Sequence, residues 1–265
     1  MSETTGTAPL RVFLTGASSG IGEALARHYA AQGANVGLVA RRGDLLASLC
    51  ASLPGGEEAH MVLNASVTDA ESMRAAAQQY MTRFGLPDIV IANAGISTGS
   101  LTDESSDLEV FEAVLNTNVL GVVRTFMPFA RAMRRRGSGK LVGISSVAGV
   151  RGLPGAGAYS ASKAAVSRYL ESLRIEMHDT GVRVVDIRPG YIATPMTAVN
   201  PYAMPFILAP DEAARRFARA IAAGSSQATI PWQMGILAKI MMRLPNWLFD
   251  RLLAGAKRKP RGLPL

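Results

Sequence analysis

The stretch LRVFLTGASSGIG, residues 10–22, decides the fold of this 265-residue chain. Its first five residues form an apolar run of the length of a buried β-strand. A loop with glycines at positions 16, 20 and 22 follows, and residues 23–32 have the pattern of a helix that ends at Gly33. Such a loop turns backbone N–H groups and a helix N-terminus towards an anion. In this context the spacing G-x-x-x-G-x-G predicts a dinucleotide site, although G-x-G-x-x-G is more common.

Strand and helix patterns continue to alternate along the rest of the chain. Apolar runs predict further strands at residues 35–40, 60–63, 87–92, 140–145, 182–187 and 227–231. The segments between them have helical spacing. This alternation predicts an α/β fold: a Rossmann-like, doubly wound parallel β-sheet in a three-layer α/β/α arrangement. The length suits one domain over residues 1–265, with a core at 9–231 and a short helical, basic extension at 232–265.

Composition narrows the functional class. The formal charge is +8, but the basic residues are scattered apart from clusters at 134–136 and 257–261, and no nucleic-acid motif accompanies them. We therefore interpret the clusters as a solvated basic face. One cysteine and three distant histidines predict neither a disulfide nor a metal site, and His28, His60 and His178 are interpreted as surface or boundary residues. No signal peptide is visible, so a cytoplasmic location is expected.

The end of the second predicted strand bears on cofactor choice. Sites for NAD place an acidic residue there, whereas sites for NADP use arginine for the 2′-phosphate. Here Arg41 and Arg42 follow the strand, and Asp44 comes too late to bind the ribose. We expect NADP(H) in preference to NAD(H), because guanidinium groups match phosphate geometry. The alternative is an ordinary charge pair at the start of a helix.

Polar or glycine residues also end other predicted strands. They are Asn93-Ala94-Gly95, Ser145-Ser146 and Pro189-Gly190. Ligands bind at the carboxyl ends of the strands in such sheets, so we expect these groups to meet at one edge. Asn116 and Asn118 interrupt an apolar helical run. Their amides either bend the helix locally or turn into the site.

Tyr159 and Lys163 lie four residues apart at the start of an alanine-rich helical segment. Residues with that spacing share a helix face. A neighbouring ammonium favours the phenolate, so we expect the pKa of Tyr159 to fall from about 10 towards neutral. A tyrosine of that kind can give or take a proton. The alternative is a chance pair on an exposed helix.

Taken together, these motifs resemble the short-chain dehydrogenase/reductase family over about residues 10–194. The matching elements are T-G-x-x-x-G-x-G at 15–22, N-A-G at 93–95, Asn118, Ser146, Y-x-x-x-K at 159–163 and P-G at 189–190. The resemblance implies a cofactor site made of Thr15, Gly16, Ser18, Ser19, Gly20, Ile21, Gly22, Arg41, Arg42, Val67, Asn93, Ala94, Gly95, Tyr159, Lys163, Pro189, Gly190, Ile192 and Thr194.

The resemblance also implies a catalytic set of Asn118, Ser146, Tyr159 and Lys163, and no metal. Tyr159 would exchange a proton with the substrate oxygen while Lys163 lowers its pKa and holds the nicotinamide ribose. Ser146 would bind the substrate oxygen, with Ser145 less favoured by spacing. Asn118 would bend its helix and order a water that relays protons. Ile192 and Thr194 would hold the nicotinamide carboxamide.

Two positions depart from the family pattern. Ser66 stands where an aspartate usually binds the adenine amine, so that contact is weaker or made by the Val67 backbone. The glycine loop carries no basic residue at 17–19. Recognition of a 2′-phosphate would therefore rest on Arg41 and Arg42.

The remainder of the chain bears on substrate and partners. Residues 195–210 lie where the family keeps a substrate lid. Our preferred interpretation of the extension is a cap on the core or a subunit interface. The two alternatives are a wall of a pocket for a lipophilic substrate and a helix that lies on a membrane surface. Lys239 and Arg243 interrupt its apolar run, which argues against a membrane span. A homodimer or homotetramer packed through the long helices is expected from the family.

The predicted function is NADPH-dependent reduction of a ketone or aldehyde, expected to be lipophilic, to an alcohol, or the reverse reaction. The alternative is a non-catalytic NADP-binding sensor or scaffold. Such a protein would have no need of Asn118, Ser146, Tyr159 and Lys163 together.

Overall fold

A computed structural model of the chain describes residues 8–263, and within them seven strands form one parallel β-sheet. The strands are β1 (Arg11–Thr15), β2 (Asn35–Ala40), β3 (His60–Asn64), β4 (Ile89–Ala92), β5 (Gly139–Ile144), β6 (Val182–Pro189) and β7 (Gln227–Ile230). Their order across the sheet is β3-β2-β1-β4-β5-β6-β7. Every predicted strand is present, with ends that agree to within two residues.

Helices connect the strands. They are α1 (Gly20–Ala31), α2 (Gly43–Ser52), α3 (Gly56–Ala59), α4 (Ala70–Phe84), α5 (Asp107–Leu115), α6 (Gly121–Arg136), α7 (Gly157–Glu176), α8 (Pro195–Ala198), α9 (Pro210–Ala222), α10 (Trp232–Arg243) and α11 (Asn246–Leu253). A π-helical turn, Asn116–Leu120, joins α5 to α6 where the sequence predicted an interruption. Short α8 lies inside the segment interpreted as a lid.

Alternation along the strands explains the three layers. In β1, Val12 and Leu14 belong to the core cluster beneath α1, α2 and α9, whereas Phe13 belongs to the cluster beneath α4, α6 and α7. Successive strand residues point to opposite faces, so an apolar run covers both. Phe13 packs its ring 4.8 Å from that of Phe129 and 5.5 Å from that of Tyr80. The predicted α/β/α fold is confirmed.

The strand order creates the crevice that holds the site. From β1 the chain moves outwards through β2 to β3, then returns to pair β4 on the other side of β1. The two halves therefore diverge at the carboxyl ends of β1 and β4. The glycine loop and residues 93–95 lie at this switch point.

His60 corrects one expectation from the sequence. It was interpreted as a surface or boundary residue, yet its side chain is buried at the start of β3. Its Nδ1 accepts the Val36 N–H at 3.3 Å, and its Nε2 lies 2.9 Å from the Pro54 carbonyl oxygen. Burial lowers the pKa of His60. The neutral ring can thus join β2 to the turn before β3.

The chain after β7 packs over the carboxyl end of β6. Met234 of α10 packs against Gly190, where an added Cβ would lie 2.6 Å from its Cγ. The last described residues then return to the loop after β4, with the Gly99 N–H donating to the Pro260 carbonyl at 2.9 Å. No helix among residues 8–263 is long and apolar enough to cross a membrane.

Candidate active site

The loop between β1 and α1 is held tightly against β4. Gly16 and Gly20 have φ angles of 70° and 59°, a region that favours glycine. A Cβ on Gly16 would lie 2.8 Å from the Ala94 Cα, and one on Gly22 would lie 2.0 Å from the Gly16 oxygen. The three glycines are therefore required by backbone geometry and close packing.

Thr15 and Asn93 tie this loop to the next strand. The Thr15 hydroxyl donates to the Ile91 carbonyl at 3.3 Å and accepts the Asn93 N–H at 3.1 Å. The Asn93 amide donates to the carbonyls of Thr15 and Gly16 at 3.0 and 3.2 Å. Both side chains hold the loop in place instead of reaching outwards.

Arg42 crosses from the end of β2 to the glycine loop. Its Nη2 donates to the hydroxyls of Ser18 and Ser19 at 2.9 and 3.2 Å. Arg41 and Arg42 both line a cleft at this edge of the sheet. The Ser19 side chain makes no capping hydrogen bond to α1 within the described chain. Guanidinium groups, two hydroxyls and a helix N-terminus are therefore close together, and this donor set suits a phosphate.

The two serines after β5 have different environments. Ser145 donates its hydroxyl hydrogen to the Asp186 carboxylate and lies 3.2 Å from the Ile187 carbonyl oxygen. Ser146 accepts the Ala148 N–H on its hydroxyl oxygen at 3.1 Å. Both serines line the cleft, but the hydrogen of Ser145 is engaged by Asp186, whereas the Ser146 hydroxyl lies beside Tyr159 and is the one placed to meet a ligand.

Tyr159 and Lys163 line the cleft from α7. The Lys163 ammonium is buried and donates to the Ile144 carbonyl at 2.9 Å, and it lies 5.7 Å from the centre of the Tyr159 ring. Burial lowers the pKa of Lys163 to about 8, while the Asp186 carboxylate acts in the opposite direction. The hydrogen bond points the Lys163 ammonium at the backbone carbonyl of Ile144.

The predicted fall in the pKa of Tyr159 is wrong for this arrangement. Burial raises the pKa of Tyr159, and only the Ser146 hydroxyl opposes that rise. The helical spacing does place the Lys163 ammonium nearby, but burial removes water from around the phenol and disfavours the phenolate. Tyr159 consequently holds its proton at neutral pH.

Asn118 is buried in the π-helical turn, behind the cleft. Its Oδ1 accepts the Ile96 N–H at 2.8 Å, and its Nδ2 donates to the Ile96 carbonyl and the Ser162 hydroxyl, each at 3.0 Å. The side chain thus joins the loop after β4 to the residue preceding Lys163. The relay role implied by the family resemblance stays a prediction.

Most of the predicted site residues line one cleft of about 270 Å³. These are Gly16, Ser18, Ser19, Gly20, Ile21, Arg41, Arg42, Val67, Asn93, Ala94, Gly95, Ser146, Tyr159, Lys163, Pro189, Gly190, Ile192 and Thr194. Thr15, Gly22 and Asn118 are not in its lining. The first two support the glycine loop, and Asn118 supports α7.

Sequence reasoning missed two polar groups beside the cleft. Asp186 is a buried carboxylate that binds Ser145 and, at 2.8 Å, Arg188. The single acid of β6, between apolar neighbours, was the available signal. Thr197 accepts the Thr194 N–H at 3.0 Å and donates to the Ile192 carbonyl at 2.5 Å. It therefore fixes the start of α8 over the cleft.

One residue of the basic tail departs from the solvated face expected from its composition, although Lys257 and Arg258 are exposed as expected. Lys259 is buried, and its ammonium donates to the Met196 carbonyl at 3.0 Å. Burial lowers its pKa to about 8. Arg261 binds Asp107 at 2.8 and 3.1 Å. The tail thus attaches α8 to the start of α5.

Comparison with known proteins places this geometry in a family. The family description "short chain dehydrogenase" matches residues 11–203. The chain belongs to the short-chain dehydrogenase family. This short-chain dehydrogenase is accordingly an oxidoreductase, and the predicted family and enzyme class are confirmed.

Several proteins resemble this short-chain dehydrogenase over most of their length. An uncharacterized oxidoreductase of Myxococcus xanthus is 36% identical over 92% of this chain and 95% of its own. The dehydrogenase/reductase SDR family member 7B of Bos taurus is 32% identical over 94% of this chain and 82% of its own. The structure of an alcohol dehydrogenase from Thermococcus sibiricus complexed with 5-hydroxy-NADP superposes with a TM-score of 0.74 at 30% identity. The match covers 83% of this chain and 95% of that chain.

Proposed function

We propose that this short-chain dehydrogenase is an NADP(H)-dependent carbonyl reductase that converts a lipophilic ketone or aldehyde to an alcohol, or runs the reverse reaction. One observation carries the proposal. Ser146, Tyr159 and Lys163 line the same cleft as the glycine loop and Arg42. Groups suited to proton transfer thus share a cleft with groups suited to a dinucleotide phosphate.

The residues present fit a nicotinamide dinucleotide. The glycine loop forms a cradle in which added Cβ atoms would collide with backbone. At the other end, Gly95 leaves open the space beside the Lys163 ammonium, where an added Cβ would lie 3.5 Å from Nζ. Tyr159 and Lys163 would hold the nicotinamide ribose there, with Ile192 and Thr194 at the carboxamide.

The end of β2 supports NADP(H) over NAD(H). Arg42 already donates hydrogen bonds to Ser18 and Ser19, so the donors that suit a 2′-phosphate are grouped in advance. The Thermococcus sibiricus relative was crystallised with an NADP derivative. At the adenine end, the Ser66 hydroxyl lies 2.7 Å from that of Thr68, which leaves the Val67 backbone as the proposed adenine contact.

The cleft side chains would then act on the carbonyl oxygen. Bound NADPH supplies a hydride to the carbonyl carbon. Tyr159, which keeps its proton at neutral pH because burial raises its pKa, donates that proton as negative charge develops on the oxygen. Ser146 donates a hydrogen bond to the same oxygen, and the Lys163 ammonium stabilises the charge. The protonated phenol is the form that reduction requires.

Part of the cleft lining suits an apolar substrate. Ile96, Ile144, Ile192 and Met196 all face the cleft. A screen that follows NADPH absorbance should therefore show turnover of bulky ketones in preference to small polar aldehydes. Clear preference for the polar compounds would contradict the substrate class. The absence of turnover with every carbonyl, together with tight NADPH binding, would favour the sensor or scaffold alternative.

The enzyme is also proposed to form a homodimer or homotetramer through its long helices. Leu108, Met127 and Ile175, on α5, α6 and α7, are each more than 60% exposed. Exposed apolar side chains on these long helices support the homodimer or homotetramer expected from the family. A cytoplasmic location is proposed with it.

A further inference from the structure

The two helices at the C-terminal end of the chain present a large apolar surface to solvent. Its members are Trp232, Ile236, Ile240, Met242, Trp247 and Leu252, which we call the C-terminal surface. They are 50–69% exposed. Three of them, at positions 232, 236 and 240, lie four residues apart and so share one face of α10. Single exposed apolar residues are ordinary, whereas a row of three on one helix face is typical of an interaction surface.

The C-terminal surface is held in a fixed position. Met234, Ala238 and Phe249 are buried on the opposite sides of α10 and α11. Arg151 donates to the carbonyls of Met241 and Leu244, each at 3.0 Å. Its guanidinium also stacks 4.0 Å from the centre of the Phe249 ring. The helices therefore cap the core with one side, as the sequence favoured, and their other side is exposed among the residues that the structure describes.

Basic side chains accompany the apolar ones. Exposed cations in this part of the chain are Lys239, Arg243, Arg251, Lys257 and Arg258. Between residues 232 and 258 the sequence contains a single acid, Asp250. Lys239 and Arg243 follow Ile236 and Ile240 by three residues, so they lie beside the apolar row on α10. Apolar anchors, two tryptophans and flanking cations form the pattern of a helix that lies in a membrane interface.

We propose that the C-terminal surface docks this enzyme peripherally on an anionic phospholipid bilayer. The tryptophan rings would lie at headgroup depth, and the cations would meet the lipid phosphates. A second copy of the chain fits less well. A symmetric contact would bring the same cations of both copies together, and like charges across an interface oppose binding.

Tryptophan fluorescence tests the proposal directly, because the chain has only two tryptophans and both belong to the C-terminal surface. The full-length protein is titrated with vesicles of phosphatidylcholine alone and with vesicles that also contain phosphatidylserine. We expect a blue shift and co-sedimentation with the second kind, and reversal by high salt. Absence of both signals at low salt would overturn the proposal. A blue shift that exists before lipid is added and disappears on dilution would identify a second copy as the occupant, and would overturn it too.

Two double variants separate charge from apolar contact. Lys239→Gln with Arg243→Gln should weaken vesicle binding about thirtyfold, since each basic residue near an anionic surface contributes about fivefold. Ile236→Ser with Ile240→Ser should abolish the blue shift. Arg134→Gln with Arg135→Gln removes the same charge from the exposed end of α6 and should leave binding unchanged. Equal loss in this control would show a general charge effect and contradict the assigned surface.

Discussion

Lys163 is buried in the cleft wall, where its pKa of about 8 lies below that of a solvated lysine. The ammonium therefore predominates below pH 8 and is lost as the pH rises through that value. If its charge stabilises the developing oxyanion, kcat/KM for reduction should be level below pH 8 and fall about tenfold per pH unit above it. Initial rates with NADPH across that range measure the profile.

Lys259 provides the control for this pH profile, because burial lowers its pKa to the same value. A Lys259→Met variant should keep the alkaline fall. If kcat/KM of the unchanged enzyme stays level well above pH 8, Lys163 has no role in the proposed chemistry. The same conclusion follows if the alkaline fall is seen in the unchanged enzyme but is lost in Lys259→Met.

Arg42 is the side chain expected to distinguish the two cofactors. Replacing it with Gln removes a guanidinium that lies beside Ser18 and Ser19. A hydrogen bond to a charged group contributes about 1.5–3 kcal/mol, so the Kd for NADPH should rise roughly 10- to 100-fold. The Kd for NADH should be unchanged. Calorimetric titration of both cofactors measures the two values, with exposed Arg74→Gln as the matched control.

At the scale of elements, the junction of β1 and α1 depends on glycine packing. A Cβ at Gly22 would collide with the Gly16 carbonyl oxygen, 2.0 Å away. Gly22→Ala should therefore destabilise the fold by about 1–3 kcal/mol and also weaken NADPH binding, because the loop must move. Urea denaturation measures the free energy of unfolding. Gly255→Ala, whose Cβ meets open space, should change neither quantity.

The tail is a second element with a measurable effect. Lys259 attaches it to the Met196 carbonyl, and Met196 lines the cleft. Lys259→Met removes this charge-assisted hydrogen bond, so the segment over the cleft should be less firmly held and KM for the carbonyl should rise about tenfold. Exposed Lys257→Met should leave KM unchanged. Equal effects of the two variants would show that the tail acts only through its charge.

Local sequence patterns predicted the helices and strands, but they did not predict the contacts of this tail. An apolar run such as residues 10–14 predicts a strand because both of its faces are buried, and β1 is found there. No comparable pattern indicates that Lys259 meets Met196, 63 residues earlier in the chain. The composition of the tail predicted a solvated face because basic clusters are usually exposed.

At the scale of the whole molecule, the parallel sheet brings distant residues to one edge. Gly16 follows β1 and Arg42 follows β2, whereas Ser146 and Tyr159 both follow β5. The prediction that residues at these three strand ends meet depended on the parallel direction of the strands. The protonation of Tyr159 could not be predicted in the same way. It depends on how much water the surrounding side chains exclude, which the spacing of two residues on a helix does not specify.

The central claim is that Tyr159 exchanges a proton with the substrate of an NADP(H)-dependent reaction. Its most direct test compares Tyr159→Phe with the unchanged enzyme on the best carbonyl substrate, with NADPH binding measured on both. We expect the Kd for NADPH to rise by no more than about tenfold, because one hydrogen bond to the ribose is lost. We expect kcat to fall about 10²–10⁴-fold, the range of general acid catalysis. Turnover by Tyr159→Phe at the rate of the unchanged enzyme would contradict the proton-transfer role of Tyr159.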